Sequence, residues 1–332
     1  MKRTTIKDNA RLTGLSVSAV SRALKDHPDI SATTKARVRE VAEALNYVPN
    51  PNAQSLRTQS SKLIAVILPK ANTFFFPELL QGISEVVAQQ GYSLLFLQSD
   101  NSLLREQELV DYCLQRFTEG VLISLSVESH GVEHLDKLRR AGIPVVLLDK
   151  VVENTWYPCV TIDDEAVTFQ AVKKIIDKGH RHILGLFDDA RLLMSQLRSK
   201  GFQRALDTHR LPNQPAQAVM VQKEADIEAR LEIGLNQFPE TTALFTMSDK
   251  LMVRAYQVLN RLGYHIPEDI GLISISDGKA PYYLHPNITH MRHSGAQVGK
   301  TATTLLFELD YNETVTAPHR FVEVELVELG SV

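Results

Sequence analysis

Apolar residues near the start of the chain recur at helical spacing. Ile6, Leu15 and Val20 fall where two short helices would turn their inner faces toward each other. Ala10 is small where the second helix must cross closely. Gly14 lies between the helices, where a tight turn favours the positive φ that glycine adopts without steric cost. The pattern predicts two helices between residues 5 and 24, with Ser16 as the N-cap of the second.

A small residue, a glycine four positions later and a β-branched residue six positions after that form the spacing of a helix-turn-helix unit. In such a unit the second helix lies in the DNA major groove and its first residues meet the base edges. Here those residues are Val17, Ser18, Ser21 and Arg22. The alternative is an ordinary helical hairpin inside a core. The polar outer face of the second helix favours DNA binding.

A third helix and a short fourth one follow. Ser31 is the expected N-cap of the third helix, whose buried stripe is Val38, Val41, Ala42 and Leu45. Asn50 and Pro51 suit the start of a fourth helix over residues 52–58, which is too short to be stable alone. A partner copy and DNA would order it, and Leu56 would then insert into the minor groove and bend the duplex. The alternative is a flexible linker.

From residue 62 the pattern changes to short apolar runs separated by helical stretches. Leu63–Leu68 is almost continuously apolar, as expected of a parallel strand that is covered on both faces. Further strands are predicted at 93–97, 120–125, 145–148, 159–162, 182–187, 218–221, 243–247 and 271–275, with helices at 77–90 and 295–309. This alternation predicts an α/β fold with parallel sheets. A break near 149–160 predicts two lobes, with late segments crossing between them.

Polar residues follow many of these strands. Ligands bind beyond the carboxyl ends of parallel strands, so this set predicts a binding cleft. The candidates are Asn72, Phe74, Phe76, Asp149, Lys150, Asp163, Ser248, Asp249, Ser276 and Asp277; Lys70, Asp164, Asp188 and Asp189 also follow strands. Carboxylates beside aromatic rings suit a polyhydroxylated ligand. The alternative for Asp164 and Asp249 is a helix N-cap.

Charge is distributed unevenly along the chain. The net charge is −3, yet residues 1–58 carry ten Lys or Arg against five Asp or Glu, while the rest carries 26 against 34. Apolar residues make up 44% of the chain, which is ordinary for a globular protein. A basic N-terminal module on an acidic body indicates a local contact with a polyanion.

Several classes of protein are disfavoured by the motifs that the sequence lacks. It contains no phosphate-binding loop, dinucleotide-binding turn, zinc-protease motif or nucleophile elbow. We therefore expect no enzymatic activity, no cofactor and no metal. The basic start has no apolar run behind it, and no apolar stretch is long enough to cross a bilayer. We expect a cytoplasmic protein without membrane contact.

The chain resembles the LacI/GalR family of bacterial transcription regulators. The resemblance is carried by Thr5-Ile6-Lys7-Asp8, Ala10, Gly14, Ser16, Val20-Ser21-Arg22, Asn46-Tyr47-Val48-Pro49-Asn50, Ala53 and Leu56. Together with the helix predicted to lie in the major groove, the resemblance implies a set of DNA-contacting residues. They are Thr5, Ile6, Lys7, Ser16, Val17, Ser18, Ser21, Arg22, Ser31, Thr34, Asn50, Ala53, Gln54 and Leu56. The resemblance also implies that Arg198 points into the ligand cleft. The chain departs from the family pattern at Asn9, Lys150, Asp164 and Ser276.

The resemblance implies three parts: a headpiece at residues 1–49, a hinge at 50–60 and a periplasmic-binding-protein-like body at 61–332. We expect the first lobe at about 61–160 plus 291–318 and the second at about 161–290 plus 319–332. The implied function is a homodimeric repressor of a double-stranded DNA operator, controlled by a small effector, with a sugar favoured over a purine. A solute-binding or sugar-modifying protein on the same two-lobed fold is the alternative.

Overall fold

The structure is a computed structural model that describes residues 4–47, 60–70, 74–211, 215–309 and 318–332. The chain forms two compact units, Met1–Ser61 and Lys62–Val332. The first unit contains the helices α1 (Ile6–Thr13), α2 (Val17–Leu24) and α3 (Ala32–Ala44). The predicted hinge falls, apart from Ser60, outside the described residues.

The second unit alternates strands and helices, as the sequence pattern predicts. Its first part contains β1 (Leu63–Leu68), α4 (Phe75–Gln89), β2 (Ser93–Gln98), α5 (Leu103–Gln115), β3 (Gly120–Ile123), α6 (Asp136–Arg140), β4 (Val145–Leu148) and β5 (Cys159–Thr161). There follow α7 (Asp164–Asp177), β6 (Ile183–Phe187), α8 (Leu193–Thr208), β7 (Ala218–Met220), α9 (Ile227–Gln237), β8 (Ala243–Thr246), α10 (Asp249–Arg261) and β9 (Gly271–Ser276). The last elements are β10 (Thr289–His293), α11 (Gly295–Glu308), β11 (His319–Phe321) and β12 (Val324–Val327).

The strands form two six-stranded sheets, which define two lobes. The first lobe has the order β11-β5-β4-β3-β1-β2 and the second β12-β10-β9-β8-β6-β7. All pairs are parallel except β10 with β12. The predicted α/β class with parallel sheets is confirmed.

Strand β1 shows why its sequence is almost wholly apolar. Ile64, Val66 and Leu68 pack into one core cluster, whereas Ala65 and Ile67 pack into another. Successive side chains of a strand point to opposite faces. Helices cover both faces of this sheet, so each of these five side chains is buried.

The chain crosses between the lobes later than the sequence pattern predicts. Strand β5 pairs with β4, so the stretch 149–158 is a loop within the first lobe and not the boundary between lobes. The crossings lie at 162–163, 294 and 322–323, because β10 belongs to the second sheet and β11 to the first. The predicted limits near 160, 290 and 318 therefore misplace the ends of these strands. Strands β11 and β12, which follow each other closely in the chain, belong to different sheets.

Helices α7 and α8 pack very closely in the second lobe. A Cβ atom on Gly201 would lie 2.2 Å from the carbonyl oxygen of Glu165. Glycine is therefore required at this crossing, and the close approach brings Arg198, one turn earlier on α8, beside the start of α7. In the described part of the chain, no helix is long and apolar enough to cross a membrane.

Candidate functional site

The headpiece has a small core of its own. Ala10, Val20, Ala23 and Val38 are buried together, with Ile6, Leu15, Leu24 and Ile30 packed against them. Gly14 ends α1 with a φ of +68°, and the Ser16 hydroxyl accepts a hydrogen bond from the amide of Ala19 at 3.2 Å. The predicted turn and cap are confirmed.

The core leaves one face of α2 at the surface. Val17 is 42% exposed although it is apolar; Ser18 and Arg22 are exposed and Ser21 is half-buried. The Arg22 guanidinium makes no hydrogen bond or ion pair with any residue in the described ranges. Lys7 is exposed at the start of α1. These side chains are accessible to a DNA groove.

Other predicted DNA contacts are engaged within the headpiece. The Thr5 hydroxyl donates to Asp8 Oδ2 at 2.7 Å, and Ser31 Oγ accepts from the Thr34 amide at 3.2 Å. Ile6 is half-buried against the core. Asn50, Ala53, Gln54 and Leu56 lie outside the described residues.

Asn9 occupies a fully buried position in the headpiece core. Its Nδ2 donates a long hydrogen bond of 3.4 Å to the carbonyl of Val38. Its Oδ1 is buried and has no hydrogen-bond partner among the described residues. The amide is therefore half satisfied, which weakens the headpiece core.

A cavity of about 270 Å³ lies between the two lobes of the second unit. Both lobes supply its walls, at the carboxyl ends of their strands. Of the predicted effector contacts, Phe74, Phe76, Asp149, Lys150, Arg198, Ser248 and Asp249 line it. The structure thus brings residues from distant parts of the chain to one cleft.

Three predicted contacts lie outside the lining of this cavity, and Asn72 lies outside the described residues. Asp163 is the N-cap of α7 and accepts from the Ala166 amide at 3.0 Å. Ser276 is fully buried behind the cleft, and Asp277 is 8% exposed there. Following a strand is therefore not sufficient to face the cleft, because the chain can turn the side chain back toward its own lobe.

Arg198 is held by two contacts at the base of the cleft. Its Nε donates to Asp164 Oδ1 at 2.7 Å and its Nη1 to the Met247 carbonyl at 2.5 Å. The guanidinium is 3% exposed. Burial raises the pKa of the Asp164 carboxyl, while Arg198 opposes that rise. The pair fixes one planar donor group at the junction of α7, α8 and β8.

A second buried carboxyl group lies where α10 begins. Asp249 accepts from the Ser276 hydroxyl at 2.5 Å and from the Asp277 amide at 3.0 Å. Burial, with the nearby Asp277 carboxylate, raises the pKa of Asp249 to about 7. Ser276 and Asp277 therefore act on the cleft through Asp249.

The two lobes meet across the cleft through charged and aromatic side chains. Lys279 of the second lobe forms an ion pair with Glu78 of α4 in the first. Phe75 of the first lobe stacks on His293 at the end of β10, with ring centroids 4.9 Å apart. Burial, followed by the charge of Arg198, lowers the pKa of His293 to about 3. The imidazole is therefore neutral near neutral pH.

Comparison with known proteins agrees with both halves of this architecture. The family model described as "Bacterial regulatory proteins, lacI family" matches residues 5–50, and the one described as "Periplasmic binding protein-like domain" matches residues 172–332. Catabolite control protein A of Priestia megaterium is 28% identical over 95% of this chain and 97% of its own length. The chain belongs to the LacI family of bacterial regulatory proteins.

Two further similarities extend over most of this LacI-family chain. The HTH-type transcriptional repressor PurR of Vibrio parahaemolyticus is 26% identical over 92% of this chain and 91% of its own length. The crystal structure of the lac repressor dimer bound to operator and the anti-inducer ONPF has a TM-score of 0.86 at 21% identity, covering 99% of each chain. The last similarity shows a shared fold, and the relatives are transcriptional regulators.

The departures from the LacI-family pattern have structural consequences in this chain. Asp164 places a carboxyl group beside Arg198, where the family commonly has the neutral amide of asparagine. Ser276, where the family often has an aspartate, donates a hydrogen bond to Asp249, so one carboxylate fewer lies near Asp249. Lys150, at the first-lobe edge of the cleft, places a single ammonium where a planar guanidinium is common.

Some cleft residues of this LacI-family chain do not directly follow a predicted strand, so the expectation that ligand contacts lie at strand ends does not identify them. Lys250 is the second residue of α10, and Arg191 lies in the segment that leads into α8. His293 ends β10, whose C-terminal limit the pattern does not locate. Asp188, which does follow a predicted strand, pairs with Lys250 at 2.7 Å.

Proposed function

We propose that this LacI-family protein is a repressor whose affinity for its operator is set by a small effector, a sugar or sugar derivative, bound between the lobes. Two copies of the chain form the binding unit, and each headpiece reads one half of a near-palindromic site. The similarity to the lac repressor dimer bound to operator supports this arrangement. The proposal involves no catalytic residue and places the protein with its DNA target in the cytoplasm.

The observation that carries the proposal is a cleft built from both lobes. Phe74, Asp149 and Lys150 come from the first lobe, and Arg198 and Asp249 from the second. A ligand that contacts both walls favours the closed arrangement of the lobes by the difference in its affinity for the closed and open forms. That difference is the free energy available to change operator affinity.

The nature of the cleft supports a sugar-like effector. Phe74 and Phe76 offer apolar ring faces, while the Arg198 guanidinium and the Asp149 and Asp249 carboxyls offer hydrogen bonds. Polyhydroxylated rings present this combination of apolar faces and hydroxyl groups. The hinge at 50–60, with Leu56 inserted in the minor groove, remains our proposed link between the lobes and DNA.

Operator binding of the full-length protein tests the proposal. A duplex selected from a random library serves as the operator, and its affinity is measured by fluorescence anisotropy at fixed salt with and without a panel of sugars. We expect at least one sugar or sugar derivative to change operator affinity in the wild type and to have no effect in Arg198→Met. A selected duplex bound no more tightly than unrelated DNA would refute the proposal.

A further inference from the structure

Three lysines from different elements line the effector cleft. Lys70 follows β1, Lys150 follows β4 and Lys250 lies in the first turn of α10. Burial is the main cause that lowers the pKa of Lys150, and the positive charges of Lys250 and Lys70 lower it further. The three ammonium groups therefore act on one region of the cleft, with two of them supplied by the first lobe and one by the second.

Most other cations of the cleft are already neutralised by a partner. Lys250 pairs with Asp188 at 2.7 Å. The Arg191 side chain forms three hydrogen bonds with the Asp189 carboxylate, at 2.7, 3.0 and 3.2 Å, and Arg198 is paired with Asp164 behind the cleft. These three cations bring their own counter-ions and leave little charge for a ligand.

Lys150 and Lys70 differ from that group. Neither has a carboxylate oxygen within 4.0 Å of its ammonium nitrogen anywhere in the described part of the chain. Lys150 is half-buried, and an ammonium withdrawn from water without a partner is energetically costly. Asp149 and Asp188 act on Lys150 at longer range. Among the described residues, the cleft thus holds two lysines without an ion-pair partner.

The nearby carboxyl groups do not cancel this charge fully. Burial raises the pKa of Asp149, although Lys150 and Arg198 oppose the rise. The pKa of Asp249 is raised to about 7. Burial disfavours the charged form of these carboxyl groups, as it does that of Lys150, and among the described residues neither carboxylate lies within 4.0 Å of the Lys150 ammonium.

The cleft also contains a hydrogen-bond donor without an acceptor. Ser248 lines the cavity, and its Oγ is buried without a partner among the described residues. Ser248 occupies the N-cap position of α10, but its hydroxyl makes no capping hydrogen bond to the first turn of the helix. Its hydroxyl is available to an acceptor in the cleft.

We propose that the effector carries an anionic group, a phosphate ester or a carboxylate, that binds Lys150 and Lys70, with the Ser248 hydroxyl as a further donor. The inference rests on the proposed function, since it names the chemical class of that effector. The anion supplies the counter-charge that Lys150 lacks, and its oxygen atoms accept charge-assisted hydrogen bonds. The remainder of the ligand lies against the phenylalanine rings.

Calorimetric titration of the full-length protein with inorganic phosphate tests the anion site directly, at constant ionic strength set with chloride. We expect saturable binding in the wild type and an affinity reduced about 10- to 100-fold in Lys150→Gln, as expected for the loss of a hydrogen bond between charged groups. Lys70→Gln, at an exposed position, gives a second reading if Lys150→Gln fails to fold. The control is Lys178→Gln, because Lys178 is exposed at the end of α7, away from the cleft lining.

Two outcomes would overturn the inference. One is the absence of saturable phosphate binding, and the other is equal phosphate affinity in the wild type and in both cleft variants. Glucose 6-phosphate, gluconate and glucose then form a matched series that separates a phosphate ester from a carboxylate and from a neutral ring. Stronger binding of either anionic member than of glucose supports the inference.

Failure of the inference is distinguishable from failure of the proposed function. A neutral sugar that alters operator affinity equally in the wild type and Lys150→Gln overturns the anionic effector and leaves effector control intact. Lys150-dependent binding of the anionic sugars without any change in operator affinity supports the anion site and contradicts effector control. The two measurements therefore report on separate claims.

Discussion

Replacing Asn9 with valine should stabilise the headpiece. Asn9 is fully buried between α1 and α3, and its Oδ1 has no hydrogen-bond partner in the described part of the chain. Its other side-chain bond, to the Val38 carbonyl, is long at 3.4 Å. Valine at this position would remove the unpaired oxygen and add apolar surface to the headpiece core.

The expected gain follows from three contributions. Relief of a buried unsatisfied polar group is worth about 1–3 kcal/mol, whereas the lost hydrogen bond contributed about 0.5–1.5 kcal/mol. Asparagine and valine have similar helix propensities, so the backbone contribution is small. The difference favours Asn9→Val by about 1 kcal/mol, and for a unit of this size each kcal/mol raises the Tm by about 4–8 °C.

Thermal unfolding of residues 1–61, followed by circular dichroism, measures this effect. The matched control is Thr13→Val on the same helix, where the side chain is 2% exposed. The Thr13 hydroxyl is satisfied, since it donates to the Asn9 carbonyl at 2.8 Å. We expect its replacement to give no increase in Tm.

Asn9→Val and Thr13→Val differ in whether the buried polar group that is removed has a hydrogen-bond partner. A Tm for Asn9→Val that is equal to or below that of the wild type would refute the predicted stabilisation, because the amide oxygen would then be contributing favourable interactions. Equal increases in both variants would instead show that hydrophobic replacement stabilises this core regardless of hydrogen bonding.

Three further outcomes are expected. Arg22→Ala should weaken operator binding by about 1–3 kcal/mol if the guanidinium reads a base edge; an unchanged affinity at fixed salt would exclude that contact. Arg198→Met should leave the buried Asp164 carboxyl unpaired and lower the free energy of unfolding by about 3–5 kcal/mol, measured by urea denaturation; a loss below 1 kcal/mol would mean that Asp164 is solvated. The pKa of Asp249 rises from 3.8 to about 7 in the folded chain, so stability is retained at low pH and lost as the pH rises through this interval. Asp249→Asn should flatten that loss in denaturation series at different pH, and an identical profile would contradict the burial argument.

The sequence predicts the secondary-structure elements that depend on neighbouring residues. It does not predict the lobe boundaries, which depend on pairing between strands that are distant in the chain. The continuous apolar run Leu63–Leu68 reflects a strand with both faces buried, and it is visible in the local sequence. Local composition also predicts a lobe boundary at 149–160, which is wrong because a polar loop within one lobe has the same composition as a linker between two lobes. Pairing of β4 with β5 distinguishes the two cases, and pairing is a long-range property.

The candidate cleft shows the same division. Asp149 and Lys150 were predicted because they follow a strand, and the parallel arrangement brings such residues to one edge. Asp163 follows a strand as well, yet its carboxylate caps α7 and is not part of the cavity lining. Whether a strand-end side chain meets a ligand or its own helix depends on the backbone turn that follows, which the residue type does not specify.

By itself, the sequence determined the headpiece and the alternation of strands and helices, because glycine geometry, capping hydroxyls and apolar periodicity act over a few residues. The tertiary structure alone decided where the chain passes between lobes and which charges in the cleft are paired. Lys250 pairs with Asp188 from another strand end, whereas Lys150 has no carboxylate oxygen within 4.0 Å among the described residues. Electrostatic balance in a cleft depends on distances between remote segments, and those distances exist only once the sheets have formed.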